Sequence, residues 1–401
     1  MFNCGMRARV AIAVALLLVG LATFNYLRPI PAVAAAVDVP ATTTVEGAPP
    51  DLPWPATGSA AVAAAGLGLI ASSGNETPIA AASVTKVMTA LLVLTDKPMV
   101  VGDEGPTITL TEADVAAYQA AVANGESNVP VEAGEQLTEL KALEALLIPS
   151  ANNIAITLAR WNAGSLPAFV AKMNAQAKAL GMTHTTFADA SGASPQSVST
   201  PPDLVKLGIE AMRLPVFALV VGLPSASLPV AGTVYNVNSV LGKGGIIGIK
   251  TGSGLKAGAN FLYAASVQVG TYRIVLYGCV MGQPTLAKAF AVALALVAAM
   301  QKTVTVHRVV SRNQTIGAFA PPWGGHADLV ANVDVDLVEW PGMVLRQDLS
   351  VPDLVITQPI GDGANAGSLH LTLGDYRLTV PLVMAGALYP PGRVWRLTRL
   401  S

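Results

Sequence analysis

The sequence predicts an α+β protein, in which an antiparallel sheet with a helical insert is followed by a small all-β domain. Strand-like runs lie at both ends of residues 58–302, and helical patterns fill the middle of that segment. Beyond residue 303 the chain consists of short runs rich in Val, Leu and Thr, separated by Gly, Pro and Asp. With 401 residues, 52% of them hydrophobic, the chain is long enough to bury more than one core.

The first 36 residues have the pattern of an export segment. Arg7 and Arg9 precede an uncharged apolar run over 10–24, and the small residues of IPAVAAA, which suit signal cleavage, follow. The apolar run reaches Leu27 if two polar residues are tolerated, which approaches the length of a membrane span. Residues 1–36 are therefore predicted to be either a signal peptide or an N-terminal membrane anchor, and the protein is expected to work outside the cytoplasm.

Residues 37–57 contain five prolines and are predicted to be a linker without regular structure. The folded domain is predicted over 58–302 and begins with one or two strands in SAAVAAAGLGLIASSG. Five helices follow, in SVTKVMTALLVLTD, KALEALLIPS, ANNIAITLARWNAG, LPAFVAKMNAQAKALG and PPDLVKLGIEAMRL. A hairpin from ANFLYAASVQVG and YRIVLYGCVMG and a helix over 286–300 complete this domain.

Residues 303–401 are predicted to form the small β-rich domain. Its candidate strands are TVTVHRVV, ADLVANVDVDLVEW, PDLVITQPI, SLHLTLGDYRLTVPLV and VWRLTRL. No cluster of aromatic or charged residues marks a site in this tail, so a pedestal or interaction role is expected by analogy alone.

Composition excludes several classes of function. A formal net charge of −1 with 12% charged residues gives no electrostatic basis for binding nucleic acid. The four histidines are scattered without the spacing of metal ligands, so no metal site is expected. Outside the cytoplasm nucleotide cofactors are not supplied, and no cofactor is expected.

The first candidate catalytic motif is Ser83-x-x-Lys86 within AASVTKVMTA. Residues at i and i+3 are neighbours on a helix, so the Lys86 amine can reach the Ser83 hydroxyl. A serine nucleophile needs a base, and lysine can serve as one if burial and nearby positive charge lower its pKa. Taken alone, this short motif also occurs by chance.

Two further polar motifs follow, each with an ordinary structural alternative. In PSANN, Ser150 and Asn152 are two residues apart and can point the same way from a loop, but serine and asparagine are also good helix caps. Lys250-Thr251-Gly252 begins the predicted hairpin and leaves room for a peptide along a strand edge, although an exposed strand lysine gives the same pattern.

In combination the three motifs are far more specific than any one of them. Ser-x-x-Lys, Ser-x-Asn and Lys-Thr-Gly, in this order, are the signature of the penicillin-recognising serine enzymes. Residues 58–302 closely resemble the D-alanyl-D-alanine carboxypeptidases of the penicillin-binding protein 5 type, peptidase family S11, through AASVTKVMTA, LLIPSANNIAITLA and GIIGIKTGSGLKAGANFLYAA. The tail resembles the family's C-terminal domain more weakly. The resemblance implies a β-lactamase/transpeptidase-like fold for residues 58–302.

The resemblance also implies a role for each motif residue. Ser83 would attack the carbonyl of the penultimate D-alanine, and Lys86 would accept its proton. Ser150 would pass a proton to the leaving D-alanine, and Asn152 would hold the substrate amide. Lys250 and Thr251 would bind the terminal carboxylate, and Gly252 lies beside them in the substrate-binding motif. The backbone N–H groups of Ser83 and Ser253 would form the oxyanion hole. The implied partners are peptidoglycan stem peptides, β-lactams as covalent inhibitors, and the membrane if the N-terminal segment is uncleaved.

Three other functions remain open. A D,D-endopeptidase that cuts peptidoglycan cross-links uses the same residues. A serine β-lactamase shares two of the motifs, but the sequence lacks the expected Glu-x-x-Leu-Asn after PSANN. A non-catalytic wall-binding scaffold would make the β-rich tail the working part.

This chain also departs from the family pattern in several places. Ala151 stands where glycine is usual, Asn153 where aspartate is usual and Gly254 where threonine is usual, while Val237 replaces a frequently polar residue. These departures affect the expected rate and substrate preference more than the reaction type. The C-terminal amphipathic anchor of the family is not recognised in VWRLTRLS, which leaves the N-terminal segment as the candidate tether.

Overall fold

The computed structural model describes residues 3–74 and 77–399. The helices are α1 Asn3–Leu27, α2 Lys86–Asp96, α3 Glu112–Ala123, α4 Glu139–Leu147, α5 Asn152–Ala163, α6 Leu166–Ala179, α7 Pro201–Met212, α8 Pro215–Val221, α9 Leu286–Thr303 and α10 Arg393–Thr398. The strands are β1 Ala36–Val37, β2 Thr42–Thr44, β3 Ser59–Ala64, β4 Gly68–Ser73, β5 Ile79–Ala80, β6 Thr107–Thr109, β7 Gln136–Thr138, β8 Val198–Ser199, β9 Ser225–Leu228, β10 Gly232–Tyr235, β11 Ile246–Gly254, β12 Gly258–Val269, β13 Tyr272–Gln283, β14 Thr305–Val310, β15 Thr315–Phe319, β16 Ala327–Ala331, β17 Val335–Glu339, β18 Val344–Ser350, β19 Asn365–Leu373 and β20 Tyr376–Ala385.

The described residues divide into two compact units. The unit that we call the mixed unit comprises residues 47–306 and 338–341, and the unit that we call the sheet unit comprises residues 1–46, 307–337 and 342–401. Each has its own hydrophobic core.

The mixed unit is built on a five-stranded antiparallel sheet in the order β11-β12-β13-β3-β4. The helices from α2 to α8 are inserted between β4 and β11; the sequence predicts a helical insert with five of these helices, and α3 and α8 were missed. Helix α2 is the centre of this insert, because nine consecutive residues of its sequence KVMTALLVLTD, from Lys86 to Leu94, are buried. A helix that is apolar on nearly all sides has no face suited to water, so it lies inside the core and holds its first turn in place.

The predicted hairpin and the helix after it are present. Strands β12 and β13 pair along their length, with Val269 opposite Tyr272 at the turn and Ala259 opposite Gln283 at the far end. Gly270 in the connection has a φ of 56°, which glycine adopts without strain. Helix α9 buries Phe290, Leu296 and Met300 among other residues. It is long and apolar enough to cross a membrane by composition, but these buried side chains belong to a core helix of a folded unit.

The sheet unit contains a seven-stranded antiparallel sheet in the order β1-β15-β16-β20-β19-β18-β2. Its core includes Phe319, Leu329 and Met384 on strands of the sheet, and Ile356 on the segment between β18 and β19. The run SLHLTLGDYRLTVPLV, predicted as strand, forms most of two paired strands, β19 and β20.

Four segments of the sheet unit differ from the sequence prediction. Residue 36 was placed in the signal peptide or anchor, and residues 37 and 42–44 in the linker. They form β1 and β2, because each short run adds to an open strand of the sheet. Residues 352–360 make only isolated bridges, at Leu354 and Ile360, since prolines at both ends of the run interrupt a ladder. VWRLTRL is not a strand: it lies largely in α10, which starts directly after Pro-Pro-Gly.

Glu139 is a buried carboxyl group that lowers the stability of the mixed unit when it is ionised. Its side chain is fully buried at the start of α4, and neither carboxylate oxygen has a hydrogen-bond partner among the described residues. Burial raises the pKa of Glu139 from 4.5 to about 7, and the positive charge of Lys97 opposes this only in part. The native state therefore holds this proton more tightly than the unfolded chain does.

We expect the free energy of unfolding of the wild type to fall as pH rises from about 4.5 to about 7, because the native carboxyl must then lose its proton in a buried site. Glu139→Gln removes this titration, so the variant should gain up to about 3 kcal/mol relative to wild type between pH 5 and pH 8. Urea unfolding at both pH values measures the difference. Glu112→Gln, at an exposed position on α3, is the matched control. An unchanged pH dependence in Glu139→Gln would contradict the prediction.

Candidate active site

The candidate nucleophile lies on a tight turn that precedes α2. Residues Ala82–Thr85 form a 3₁₀ helix, so Ser83 is on this turn rather than on the α-helix that the sequence analysis expected. The turn still brings positions i and i+3 together, because side chains three residues apart eclipse in a 3₁₀ helix. Ala82, directly before the serine, has a φ of 49°, a left-handed conformation that is strained for alanine.

Neighbouring elements hold this strained turn. The buried amide Nδ2 of Asn260 donates to the carbonyl oxygens of Ala80 and Ala81, at 3.0 and 3.1 Å, while its Oδ1 accepts from the N–H of Gly282. Asn260 lies on β12, so it attaches the entry to the turn directly to the central sheet. The strain at Ala82 persists because these bonds fix the chain on its N-terminal side.

Two glycines allow close approach to the turn. A β-carbon on Gly192 would lie 1.8 Å from the carbonyl oxygen of Ala82, and one on Gly252 would lie 2.9 Å from the carbonyl oxygen of Ala81. The same position on Gly252 is 3.2 Å from the backbone nitrogen of Ser83. Gly252 of the third motif therefore lets β11 run beside the Ser83 amide, which any side chain would prevent.

Lys86 is fully buried and its amine has three partners. Nζ lies 2.9 Å from Ser83 Oγ, 2.5 Å from Asn152 Oδ1 and 2.8 Å from the carbonyl oxygen of Ser191. The amide and carbonyl oxygens can only accept, so each takes an N–H from the lysine. A neutral amine has two N–H groups, and its lone pair then faces the Ser83 hydroxyl. This arrangement suits removal of the hydroxyl proton.

The environment favours that neutral amine. Burial lowers the pKa of Lys86 well below its ordinary value, and the positive charge of Lys250 lowers it further, while the negative charges of Asp189 and Glu126 act in the opposite direction. Burial also lowers the pKa of Lys250, to about 7. The positive charge of Lys250 thus adds to burial in disfavouring the charged form of Lys86.

Glu126 fixes the orientation of the Asn152 side chain. Its Oε2 lies 2.7 Å from Asn152 Nδ2. An ionised carboxylate can only accept, so the NH₂ group of Asn152 must face Glu126 and its oxygen must face Lys86. The hydrogen bonds from Asn152 to Glu126 and from Lys86 to Asn152 therefore commit one N–H of Lys86 to Asn152. The lone pair of the neutral amine then stays directed at the Ser83 hydroxyl. The other N–H of Asn152 is available to a substrate carbonyl.

The rest of the second motif is shaped by its loop. Ser150 is buried at a φ of 70°, and its Oγ has no hydrogen-bond partner among the described residues. Asn153, one of the departures from the family pattern, donates to the carbonyl of Val129 and accepts from the N–H of the same residue. Asn153 therefore has a structural role that joins this loop to the segment before α4, and the expected helix starts at Asn152.

The third motif lies on β11, as the sequence predicts. Lys250 and Thr251 are buried, and Lys250 Nζ donates to the carbonyl of Thr251 at 3.2 Å. Ser253 is exposed and lines the same cleft as Ser83. The cleft has a volume of about 610 Å³, and Asn152, Glu126 and Gly192 also line it.

A second, apolar cleft of about 660 Å³ adjoins the first. The two have Asn124, Glu126 and Ala193 in common. Ser83, Asn152 and Ser253 line the smaller cleft, whereas none of the predicted site residues lines the larger one, so the smaller cleft is the candidate site.

Several residues that build the site are outside the predicted motifs. Ser191 supplies the third oxygen to Lys86, and its loop is held by Asp189, which accepts from the hydroxyls of Ser191 and Ser197 and from the N–H of Ala193. Glu126 and Asn260 were also missed. Their sequence context, a loop carboxylate and a strand amide, carries no local signal, although the resemblance did extend through the segment of Ser191.

No group of three or more His, Cys, Asp or Glu side chains with a metal-binding arrangement occurs among residues 3–74 and 77–399. The site as described relies on amine, hydroxyl and amide groups.

Comparison with known proteins gives consistent matches. A family model described as D-alanyl-D-alanine carboxypeptidase, peptidase S11, matches residues 56–285. The D-alanyl-D-alanine carboxypeptidase DacB2 of Mycobacterium tuberculosis is 37% identical over 216 residues, which cover 51% of this chain and 69% of that protein. A D-alanyl-D-alanine endopeptidase of Pseudomonas aeruginosa is 34% identical over 165 residues, 41% of this chain and 50% of that protein.

A solved structure extends the likeness beyond the mixed unit. The D-alanyl-D-alanine carboxypeptidase DacD from Francisella tularensis matches with a TM-score of 0.59 over 87% of this chain and 96% of that chain, at 19% identity. At this identity the match concerns the fold alone, and it confirms the fold class predicted from the sequence.

Proposed function

Because the chain belongs to the D-alanyl-D-alanine carboxypeptidase family, peptidase S11, we propose that it removes the terminal D-alanine from peptidoglycan stem pentapeptides through an acyl-enzyme on Ser83. The observation that carries this assignment is the approach of the buried Lys86 amine to within 2.9 Å of Ser83 Oγ, with two acceptor oxygens on its other side. A serine hydroxyl becomes an effective nucleophile when such a base lies next to it.

In the acylation step, Ser83 Oγ forms a bond to the carbonyl carbon of the penultimate D-alanine while its proton passes to Lys86 Nζ. The backbone N–H groups of Ser83 and Ser253 stabilise the oxyanion, a contribution worth about 10²–10³ in rate for one donor in other enzymes. Gly252 supports this role, since it permits β11 to lie beside the Ser83 amide.

The C–N bond of the peptide then breaks, and the leaving D-alanine takes the proton from Lys86 through the hydroxyl of Ser150. The unpartnered, buried Oγ of Ser150 supports this relay, because a buried hydroxyl is stabilised by a hydrogen-bond partner that substrate can supply. Water then attacks the acyl-enzyme, which releases the shortened stem peptide and restores Ser83.

Lys250 and Thr251 bind the terminal carboxylate of the substrate, and one N–H of Asn152 holds the substrate amide. With a pKa of about 7, Lys250 is poised to become charged when a carboxylate arrives, since an adjacent negative charge favours the ammonium form. Stem peptides and β-lactams both carry such a carboxylate, so both are proposed ligands. The protein is exported and acts on the outer side of the cell membrane, where peptidoglycan lies.

The alternative is a D,D-endopeptidase that cuts peptidoglycan cross-links, and the 34% identical relative of that name favours it. The deciding experiment compares a stem pentapeptide with a cross-linked muropeptide dimer as substrates. We expect release of free D-alanine from the pentapeptide at a higher kcat/KM than cleavage of the dimer, and we expect benzylpenicillin to block both reactions.

A higher kcat/KM for the cross-linked dimer than for the pentapeptide would contradict the carboxypeptidase assignment and support a D,D-endopeptidase that uses the same site. Rapid loss of benzylpenicillin without turnover of either peptide would indicate a β-lactamase. A folded protein that acts on none of the three compounds would favour the scaffold hypothesis over catalysis.

Glu126 is proposed as a positioning residue of this site, and the pH profile of its variants tests that role. In Glu126→Gln a carbonyl oxygen can still accept from Asn152, but the negative charge that raises the pKa of Lys86 is lost. The pKa of Lys86 then falls, so the acid limb of kcat/KM for D-alanine release should shift to lower pH. Glu126→Ala loses the orienting bond as well and should also lower the plateau rate, by about tenfold or more.

The matched control is Asp103→Asn, an exposed carboxylate of the mixed unit. It should leave the whole pH profile in place. An acid limb that moves to higher pH in Glu126→Gln, or that does not move, would contradict the proposed coupling of Glu126 to Lys86.

A further inference from the structure

The chain directly after α1 is part of the folded sheet unit. Val33 is buried and exchanges two backbone hydrogen bonds with Leu354, at 2.9 and 3.0 Å. Ala36 and Val37 pair with β15, and the N–H of Asp38 donates to Ile316. Cleavage in IPAVAAA would cut through this ordered segment. Signal cleavage here would remove residues that pair with the sheet unit, or would leave them at a new N-terminus.

Arg399, directly after α10, binds the C-terminal end of α1. The guanidinium of Arg399 is buried and donates to the backbone carbonyl oxygens of Asn25, Arg28 and Pro29, over distances of 2.6–3.1 Å. The last carbonyls of a helix have no partner within the helix, so a planar group with five donors is well suited to cap them. One side chain thus satisfies three carbonyls at and beyond the end of α1.

Helix α10 adds further contacts to the same helix end. Arg396 donates to the carbonyl oxygen of Tyr26 at 2.6 Å, and its guanidinium lies 4.4 Å from the centre of the Tyr26 ring. Asn25 Nδ2 donates back to the carbonyl of Leu397 at 3.3 Å. The end of α1 and α10, about 370 positions apart, therefore each donate a hydrogen bond to the other, and a cation–π contact joins them as well.

The span itself fixes where a bilayer would lie. Residues Met6–Leu27 form 22 residues of mean hydropathy 2.2, and their side chains are almost entirely exposed. Such a length matches the hydrocarbon core, so one end of the span, at Leu27, lies at a membrane surface. Arg7 and Arg9 near the other end indicate a cytoplasmic start, and the sheet unit then lies outside.

The surface beside this outer end combines positive charge with exposed apolar side chains. We call it the arginine surface, and it consists of Arg28, Tyr389, Arg393, Val394, Arg396 and Leu397. Val394 is 74% exposed and Tyr389 is 64% exposed. No carboxylate of the described residues forms an ion pair with any of these arginines. Guanidinium groups that lack a carboxylate partner among the described residues, next to exposed apolar groups, suit an interface between headgroups and acyl chains.

We propose that α1 is retained in the mature protein as its membrane anchor, and that the arginine surface at its outer end binds the anionic headgroups of the same bilayer. Two observations support this assignment: the span places the bilayer beside the arginine surface, and the arginines of that surface form no ion pair with a carboxylate of the described residues. The inference uses the outward orientation of the protein and is otherwise independent of its peptidase activity.

Retention is tested by intact mass of the full chain, expressed with its own N-terminus and extracted with detergent from carbonate-washed bacterial membranes. We expect the mass of a chain that still contains α1. A mature form that starts within residues 31–38 would overturn the proposal. Arg399→Lys is the companion variant: the three donors of an ammonium lie on one nitrogen and cannot reproduce the bonds that three guanidinium nitrogens make, so proteolysis near residue 399 should accelerate while the anchor mass stays the same.

Headgroup contact is tested with the full chain in nanodiscs, in a Cys4→Ser background. A fluorophore at Arg393→Cys should be quenched by a headgroup-attached nitroxide, and more strongly in phosphatidylglycerol than in phosphatidylcholine. Arg346→Cys, exposed on β18 near the opposite edge of the sheet from β1, is the matched control and should keep its fluorescence. Equal quenching at both positions, or none at 393, would overturn headgroup binding.

Discussion

Ser83→Ala is expected to abolish covalent labelling by benzylpenicillin and to reduce D-alanine release by about 10⁴-fold or more, because no other group can take the place of the attacking oxygen. Intact mass after incubation measures the first effect: the wild type should gain the mass of one penicillin, and the variant should gain none. The substitution removes a single oxygen from a half-buried position and leaves the bonds of Asn260 that hold the turn.

Ser72→Ala, an exposed serine on β4 of the same unit, is the matched control and should be labelled like the wild type. An adduct that forms on Ser83→Ala at the wild-type rate would identify a different nucleophile. Failure of the wild type itself to form an adduct, while the penicillin survives, would contradict the proposed acyl-enzyme.

Lys86→Met is expected to have the next largest effect, a loss of about 10²–10⁴-fold in the rate of acylation, the range typical for removal of a general base. Methionine fills a similar volume in the buried site, but it leaves Ser83 Oγ without a proton acceptor. A time course of the penicillin adduct by mass spectrometry measures the rate. Lys86→Arg should fail as well, because a guanidinium stays protonated and cannot act as the base.

Lys178→Met, an exposed lysine in the last turn of α6, controls for the loss of a positive charge from the unit. The thermal unfolding midpoint of each variant separates a chemical effect from misfolding. Acylation of a folded Lys86→Met at the wild-type rate would assign the base to another residue, and Lys250 would then be the first to test.

Much of the architecture follows from local pattern. The β12–β13 hairpin was predictable because apolar runs of strand length are separated by a glycine turn, and α5 to α7 because their periodicity and proline or glycine boundaries are local properties. The run VWRLTRL was predicted wrongly because seven residues with alternating Val, Leu and Thr fit a strand equally well. In the folded chain its helix α10 contacts the end of α1, which lies about 370 residues earlier and is invisible to a local pattern.

The sequence by itself determined the chemical inventory of this protein: a serine and a lysine three residues apart, a Ser-x-Asn loop, a Lys-Thr-Gly strand and an apolar N-terminal span. These are local patterns of residue type and spacing. Only the tertiary structure decided which partners complete them. Asn152 at the start of α5 and Ser191 on a loop bond directly to Lys86, and Glu126 acts through Asn152, while Arg399 reaches the end of α1 across 374 residues. The physical reason is that a hydrogen bond depends on a distance of about 3 Å in space, and packing of the whole chain sets that distance.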